Sequence, residues 1–467
     1  MTAFRKSFDD HHVADLLGIG ALAPAADPGR VVAALRAVPA AATAQLLRRH
    51  KVLLAAERRL AGWRADGTFA DEQAEATAAA VDDVLATRRT RIAGLADQLD
   101  AVTEIAAATG VPITLMKGVT LRTWYPDEFP RDIGDIDLWV PTLDDAYALT
   151  GVLEARGHAL KSDELPWVKQ TAAGHAYGVF NLRDPAGNSF SMDIHYGVYS
   201  VRHCGSFRPH VQVTEHGSRL DPASDLACAI ANAAGDAFID VKTLNDVWLA
   251  AHRPDLDWGL LHTHLDEAGL GAFFAAVLHR LALIHRPPTD PAAVERLRPA
   301  VAPERLPELT APRSAHRWYT TVCHAWQRGG ASLRRSMIFA GTAARYYALP
   351  LRPHVLTGRR GWGRHRAPQP AAYNCVRLIP ADRIDQVFPG PVSVPSGGPG
   401  PAPVRSLRPL ADSGVLSVVA TAEGDLIRAS DGRVFVPTVY YGVPARLLAA
   451  ARTLAAADVT TAPTAQG

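Results

Sequence analysis

The strongest constraint on the fold comes from the segment at residues 131–140, whose sequence is RDIGDIDLWV. Apolar residues alternate with aspartates in it, which predicts a β-strand because side chains two positions apart on a strand point to the same face. Asp135 and Asp137 are therefore expected side by side, with the apolar residues packed on the opposite face. The alternative for a short Asp-x-Asp pair is an edge strand with a solvated acidic face.

A neighbouring pair of carboxylates has a direct chemical consequence. Two such groups repel each other, and they are difficult to keep ionised without a cation. Mg²⁺ prefers carboxylate and phosphate oxygens as ligands. Asp135 and Asp137 are therefore predicted to bind a divalent metal ion, with Mg²⁺ preferred and Mn²⁺ as the alternative.

The composition is that of an ordinary globular protein. The chain has 467 residues, of which 48% are hydrophobic and 21% charged, and this length predicts two or three domains. A net charge of +2 gives no argument for a nucleic-acid or membrane partner. The four cysteines lack the spacing of a zinc site, and their low number is typical of a reducing compartment. Because we find no apolar leader and no long apolar stretch, we expect a cytoplasmic protein.

The order of helical and strand patterns predicts an α+β fold. A small mixed β-sheet core is expected to be embedded in helices, with a separate small C-terminal α/β region. The expected regions are a helical region at 1–108, the α/β core at 109–200, a helical region at 201–290, a helical and loop region at 291–394, a Pro/Gly linker at 395–404, and a strand-and-helix region at 405–467.

Several short elements are predicted inside the core. A strand at residues 113–116 is expected to run into Lys117-Gly118 and a short helix. A helix is expected over 143–156, and Gly157 would end it. Two further strands are expected on either side of a turn at 184–188.

The second of these strands carries another carboxylate, in the sequence SMDIHY at residues 191–196. Asp193 and His195 would share one face of it, and if the strands are neighbours Asp193 meets Asp135 and Asp137. Three carboxylates suit phosphoryl transfer with two metal ions. Asp193 would then hold the second ion or accept the proton from the attacking group. The alternatives are a hydrogen-bonded structural aspartate and a structural rather than substrate-binding histidine.

Lys117-Gly118 lies between a predicted strand and a predicted helix. A glycine there allows the backbone to approach a phosphate, and a helix N-terminus favours anions. Lys117 and Arg131 are predicted to neutralise phosphate charge during the reaction. The alternatives are a surface role for Lys117 and a structural ion pair of Arg131 with Asp132 or Asp135.

Together these motifs resemble the uncharacterised nucleotidyltransferase family of the polymerase-β-like nucleotidyltransferase superfamily. The family shows a Lys-Gly pair after the first strand, an arginine ahead of an Asp-x-Asp strand, and an Asp-x-His pattern on a later strand. Here these patterns stand at Lys117-Gly118, Arg131, Asp135/Asp137 and Asp193/His195. The resemblance covers about residues 30–290.

The resemblance implies a mixed-sheet nucleotidyltransferase core and Mg²⁺-dependent transfer of a nucleoside monophosphate from a nucleoside triphosphate such as ATP, with release of pyrophosphate. By position, Asp135 and Asp137 match the metal-binding pair, Asp193 the third carboxylate, and Gly118 the glycine beside the phosphates. Gly118-Val119 replaces the superfamily's usual glycine–serine or double-glycine turn. Thr120 is therefore expected to supply the missing hydroxyl contact to phosphate.

The sequence does not decide whether the acceptor of the nucleotidyl group is a small molecule, a peptide or a protein. Adenylylation of a protein or peptide is thus one alternative function. Another is a non-catalytic nucleotide- or partner-binding protein that has the same fold, because a fold alone does not establish activity. Neither a membrane nor a nucleic-acid partner is expected.

Overall fold

The structure of the chain is a computed structural model. It describes residues 10–67, 72–160, 167–170, 176–200, 205–214, 217–236, 238–304, 309, 333, 337, 354–356, 375–384, 416–429, 432–438 and 442–461. The chain divides into two compact units. The first unit comprises Met1–Trp139, Ala186–Met192 and Tyr199–Thr320, and the second comprises Val140–Pro185, Asp193–Val198 and Thr321–Gly467. The six sequence regions stay a prediction, and the linker expected at 395–404 lies outside the described residues.

Helices and strands follow one another along the described chain. The helices are α1 (Asp10–Gly18), α2 (Pro28–Ala37), α3 (Ala40–Arg49), α4 (Leu53–Ala65), α5 (Glu72–Ala93), α6 (Leu95–Thr109), α7 (Gly118–Leu121), α8 (Leu143–Ala155), α9 (Pro222–Asp236), α10 (Val241–Ala251), α11 (Trp258–Glu267), α12 (Gly271–Ile284), α13 (Pro291–Arg296) and α14 (Ala445–Thr461). The strands are β1 (Thr114–Met116), β2 (Ile136–Val140), β3 (Ala159–Leu160), β4 (Trp167–Gln170), β5 (Ala176–Arg183), β6 (Met192–Gly197), β7 (Val211–Thr214), β8 (Gly217–Leu220), β9 (His354–Leu356), β10 (Cys375–Pro380), β11 (Leu416–Thr421), β12 (Gly424–Ala429), β13 (Val434–Thr438) and β14 (Gly442–Pro444).

The first unit is mainly helical, as the sequence predicts for the residues before 109. Leu16, Leu46 and Leu226 are among the buried residues of one apolar core that its helices share. Asp27 and Asp240 begin α2 and α10, where each carboxylate accepts a backbone N–H bond from the first turn. The helices of this unit are therefore fixed both by apolar burial and by capped ends.

Four strands of the first unit lie in the order β2–β1–β8–β7. β1 is antiparallel to β2 and parallel to β8, so the sheet is mixed. The register places Met116 of β1 opposite Asp137 of β2. Lys117 follows Met116 directly, and this register brings Lys117 next to the acidic pair.

The second unit contains an antiparallel group of strands around β5. β5 pairs with β3 and with β4, and β6 is its other neighbour in the sheet. Tyr147 of α8 packs edge-on against Phe180 of β5, with ring centroids 4.8 Å apart. α8 ends ahead of Gly157, whose φ of +93° confirms the predicted helix end.

The C-terminal part of the second unit has its own apolar core. β10, β13, β12 and β11 follow one another in antiparallel pairs, and the backbone of β10 also pairs with β4. The core includes Ile379, Leu426, Val436 and Leu448, the last on α14. This is the strand-and-helix arrangement predicted near the C-terminus.

The α+β fold class predicted from the sequence is confirmed, with a mixed sheet among helices and a C-terminal strand-and-helix region. Among the described helices, none taken singly has both the length and the apolar character needed to cross a membrane. The adjoining α2 and α3 meet that test only as a pair, bent by 116°.

Lys51 adopts a backbone conformation that usually belongs to glycine. After α3, the N–H of Lys51 donates to the carbonyl of Arg48 and the N–H of Val52 donates to that of Leu47. These two bonds form a Schellman motif, and Lys51 stands at its left-handed position with a φ of +55°. Side chains other than glycine are strained in this region by about 1 kcal/mol. The Lys51 ammonium lies 3.3 Å from the Asp240 carboxylate.

Two substitutions separate this strain from the ion pair. Lys51→Gly and Lys51→Met both remove the contact with Asp240, but only glycine relieves the left-handed backbone. We expect the glycine variant to have a free energy of unfolding higher than that of the methionine variant by about 1 kcal/mol. Denaturant unfolding of both variants measures this difference. Equal stabilities would show that Lys51 is not strained.

Candidate active site

The two aspartates of the Asp-x-Asp pair lie at the start of β2, in the first unit. Asp135 stands in the bend just before the strand, which begins at Ile136 and not, as predicted, ahead of Asp135. Asp137 is only 6% exposed and Asp135 is half-buried. All residues of β2 are buried, so Asp137 does not belong to a solvated acidic face.

Burial of the pair has electrostatic consequences. The pKa of Asp135 is raised above its ordinary value, first because burial disfavours its ionised form and second because Asp137 carries a like charge. Three lysines oppose this effect: Lys117, Lys242 and Lys51. Two carboxylates are thus held within electrostatic reach of each other and of several cations.

Lys117 is the closest of these cations. Its Nζ atom lies 2.5 Å from Oδ1 of Asp137, and both side chains are buried. Burial by itself would lower the pKa of Lys117, but Asp137, Tyr199 and Asp135 together raise it well above the ordinary value. The side chain is therefore not a surface lysine, which was the alternative considered from the sequence.

Asp225 holds the turn that presents Lys117. The backbone of Lys117 has a φ of +52° and a ψ of −108°, outside the regions that L-residues favour. Its N–H donates to Oδ1 of Asp225, and the hydroxyl of Thr120 donates to Oδ2 of the same carboxylate. The contact of Thr120 favours a role in positioning the turn over the predicted contact with phosphate.

Arg131 is bound in a similar way. Its Nε and Nη2 atoms donate to the two oxygens of Asp246 at 2.8 Å, and its Nη1 donates to the carbonyl of Gly118 at 3.2 Å. Tyr125 also donates to Asp246, at 2.7 Å. Because all of these groups are buried, the structural alternative for Arg131 is favoured, with Asp246 as the partner instead of Asp132 or Asp135.

Gly118 lies between these two anchors. A Cβ atom placed on it would be 3.6 Å from Nη1 of Arg131 and from the carbonyl oxygen of Asp135. These are ordinary contact distances, so packing of the protein itself does not demand a glycine at 118. The sequence predicts instead that the glycine allows a ligand to approach closely, and this geometry is compatible with that prediction.

Asp132 connects the segment before β2 to the start of α4. Its Oδ2 atom accepts a hydrogen bond from the backbone N–H of Leu53, the first residue of α4. Burial raises the pKa of its carboxyl. Asp132 is therefore an anchor between the segment before β2 and the N-terminus of a helix.

A polar cleft adjoins the pair, and its volume of about 450 Å³ includes space that is open to solvent. It is lined by Lys51, Lys117, Ala229, Asn232, Ala233, Asp236, Phe238, Asp240, Lys242, Thr243 and Asp246. The site predicted from the sequence did not include Lys51, Lys242, Asp225, Asp240 or Asp246. A weak signal for a role of Asp225 is present in the sequence, because it is the one charged residue in a run of small and apolar residues at 223–231.

Asp193 and His195 lie on β6, in the second unit. Both are half-buried, while Met192, Ile194 and Tyr196 are buried. The predicted alternation of faces on this strand is therefore confirmed. The role of Asp193 as the third carboxylate and that of His195 in substrate binding stay predictions.

The donor set at the pair fits a divalent cation. Within the described ranges, no three His, Cys, Asp or Glu side chains lie close enough together to hold a metal ion. Mg²⁺ is commonly bound through one or two carboxylates, with water and substrate phosphates in its other positions. Asp135 and Asp137 provide such a pair, and the ammonium of Lys117 already stands against Asp137 as a resident cation.

Loss of Arg131, the partner of Asp246, should strongly destabilise the first unit. Arg131→Met leaves Asp246 as a buried carboxylate without its bidentate donor, and we expect the free energy of unfolding to fall by about 3–5 kcal/mol. The double variant Arg131→Met/Asp246→Leu removes both charges and should recover part of this loss. Denaturant unfolding compares the three proteins, and a loss below about 1 kcal/mol in the single variant would contradict a buried, bidentate pair.

Asp225 should make stability depend on pH. Burial raises the pKa of its carboxyl from 3.8 to about 7, against the hydrogen bonds from Thr120 and Lys117. The stability that the protonated form contributes is complete below about pH 4 and is lost as the pH rises through about 7. Between these values we expect the wild-type free energy of unfolding to fall more steeply than that of Asp225→Asn, by up to about 1.4 kcal/mol per pH unit. Parallel profiles in denaturant would refute the shift.

One comparison with known proteins finds a family that the chain matches. Residues 37–285, more than half of the chain, match the family described as uncharacterised nucleotidyltransferase. No curated protein matches the chain, and no solved structure matches it. The matched range includes the acidic pair, the Lys117 turn and the lysine-lined cleft. The chain therefore belongs to this uncharacterised nucleotidyltransferase family.

Proposed function

We propose that this protein is a Mg²⁺-dependent nucleotidyltransferase, with Mn²⁺ as an alternative ion. It transfers a nucleoside monophosphate from a nucleoside triphosphate to a hydroxyl or phosphate of an acceptor and releases pyrophosphate. The observation that carries this proposal is the acidic pair of half-buried Asp135 and buried Asp137 beside Lys117, in a chain that belongs to a nucleotidyltransferase family. A cytoplasmic location is part of the proposal.

Asp135 and Asp137 would hold the metal ion. When bound, the ion supplies charge neutralisation at the phosphates and a lower pKa for the attacking group. Lys117 now neutralises Asp137 through a contact of 2.5 Å. A cation at the pair would take over that neutralisation and leave the ammonium of Lys117 for the oxygens of the triphosphate.

The residues around the pair fix its geometry. Asp225 holds the Lys117 turn through two hydrogen bonds. Arg131 connects the carbonyl of Gly118 to Asp246. Both are positioning residues in this proposal, because they act on the phosphate-binding turn and do not themselves contact the reacting atoms.

Asp193 and His195 complete the proposed reaction. We assign to Asp193 the acceptance of the proton from the attacking group. His195, on the same face of β6, would contact the acceptor. The acceptor is a small molecule, a peptide or a protein.

Transfer of label tests the proposal. The full chain is incubated with each α-labelled nucleoside triphosphate, Mg²⁺ or Mn²⁺, and a host extract that supplies acceptors. We expect metal-dependent transfer by the wild type and a loss of at least about 100-fold in Asp135→Asn and in Asp137→Asn, because each loses a metal ligand. Label on a macromolecule or on a small molecule identifies the class of acceptor.

Asp266→Asn is the matched control, since it removes the same charge from an exposed position and should transfer as the wild type does. Transfer that survives in both site variants would overturn the assignment of the pair. Triphosphate binding without any transfer would leave a nucleotide-binding protein with this fold.

A further inference from the structure

Two lysines of the cleft have no role in the proposed reaction so far. Lys51 comes from the end of α3 and Lys242 from the first turn of α10, and both line the cleft together with Lys117. All three interact electrostatically with Asp135. Cations from three separate segments of the first unit therefore surround one open polar space.

Backbone strain is concentrated at the same place. Among the described residues, Lys51 and Lys117 are the non-glycine positions with positive φ. Strained residues of this kind cluster at ligand-binding sites, where the surrounding structure holds them. At Lys51 a glycine would satisfy the Schellman motif with less strain. What the lysine adds is an ammonium group at the cleft.

Lys242 lines the cleft without a close ion-pair partner among the residues that the structure describes. It is half-buried, and within the described part of the chain no carboxylate lies within ion-pair distance of its ammonium. Asp240 is engaged by Lys51 and by Thr243, and Asp246 by Arg131 and Tyr125. Burial, Lys51 and Arg131 lower the pKa of Lys242 to about 8, against the opposing effect of Asp240 and Asp246. An anion in the cleft would supply a counter-charge at closer range.

Three carboxylates also line the cleft, and two of them, Asp240 and Asp246, raise the pKa of Lys242 from beyond ion-pair distance. Asp236 and Asp240 both line the space, and both act electrostatically on Lys51. Several cations around one space match a ligand with several negative charges better than a single carboxylate. A chain of phosphates has that charge, and Lys117 connects the cleft to the acidic pair.

We propose that Lys242 and Lys51, together with Lys117, form a subsite for the terminal phosphates of the nucleoside triphosphate. The inference rests on the proposed function for the identity of the ligand. Phosphate on the acceptor is the other source of the same chemistry, and it is an outcome that the test distinguishes.

Binding is measured by calorimetry on the full chain, with inorganic triphosphate and Mg²⁺ as the probe. We expect Lys242→Met to weaken binding at least tenfold, Lys51→Gly to weaken it severalfold, and Lys242→Arg to restore most of it. Arg298→Met removes one charge from an exposed position just after α13 and should bind as the wild type does. Thermal unfolding of each variant shows that it is folded. Unchanged binding in folded Lys242→Met would overturn the subsite.

The second arm compares a nucleoside triphosphate with the monophosphate of the same nucleoside. Lys242→Met should weaken binding of the triphosphate alone, because the monophosphate lacks the terminal phosphates. A raised KM for the acceptor with unchanged triphosphate binding would place the acceptor's phosphate in the cleft and overturn the proposal. Loss of triphosphate binding in a protein that transfers no label would support the subsite while the transferase function fails.

Discussion

The buried contact between Lys117 and Asp137 is the interaction on which the site depends. A charge buried in a protein is costly unless it is paired, and here the pairing follows from strand register. Met116 lies opposite Asp137, and Lys117 is the next residue. If the register between β1 and β2 shifted by one residue, Asp137 would point to the other face of the sheet. Both charges would then be buried without a partner.

Three further carboxylates keep this arrangement in place. Asp225 on α9 binds the backbone of Lys117, Asp246 on α10 binds Arg131, and Asp240 at the start of α10 pairs with Lys51. Each joins a helix to a turn or segment near the acidic pair. The helices of the first unit therefore supply the groups that orient the charged residues near the sheet.

The same site also holds features that do not favour stability. Lys51 and Lys117 have strained backbones, and among the described residues no carboxylate lies within ion-pair distance of the Lys242 ammonium. Such costs of order 1–3 kcal/mol for each strained residue persist only where the surrounding structure enforces them. Their concentration around one cleft is the physical reason for assigning a ligand to it.

Periodicity and local chemistry in the sequence determined the elements of the fold and the acidic pair. The strand after Asp135, the Lys117 turn, α8 with its glycine end and the alternation on β6 all follow from neighbours in the chain. Tertiary structure alone decided the partners of the charges. Arg131 bonds to Asp246, 115 positions away, and Lys117 to Asp225, 108 positions away. Lys51 and Lys242 reach the cleft for the same reason. Charge pairing depends on distance in space, and no local pattern encodes contacts between segments so far apart.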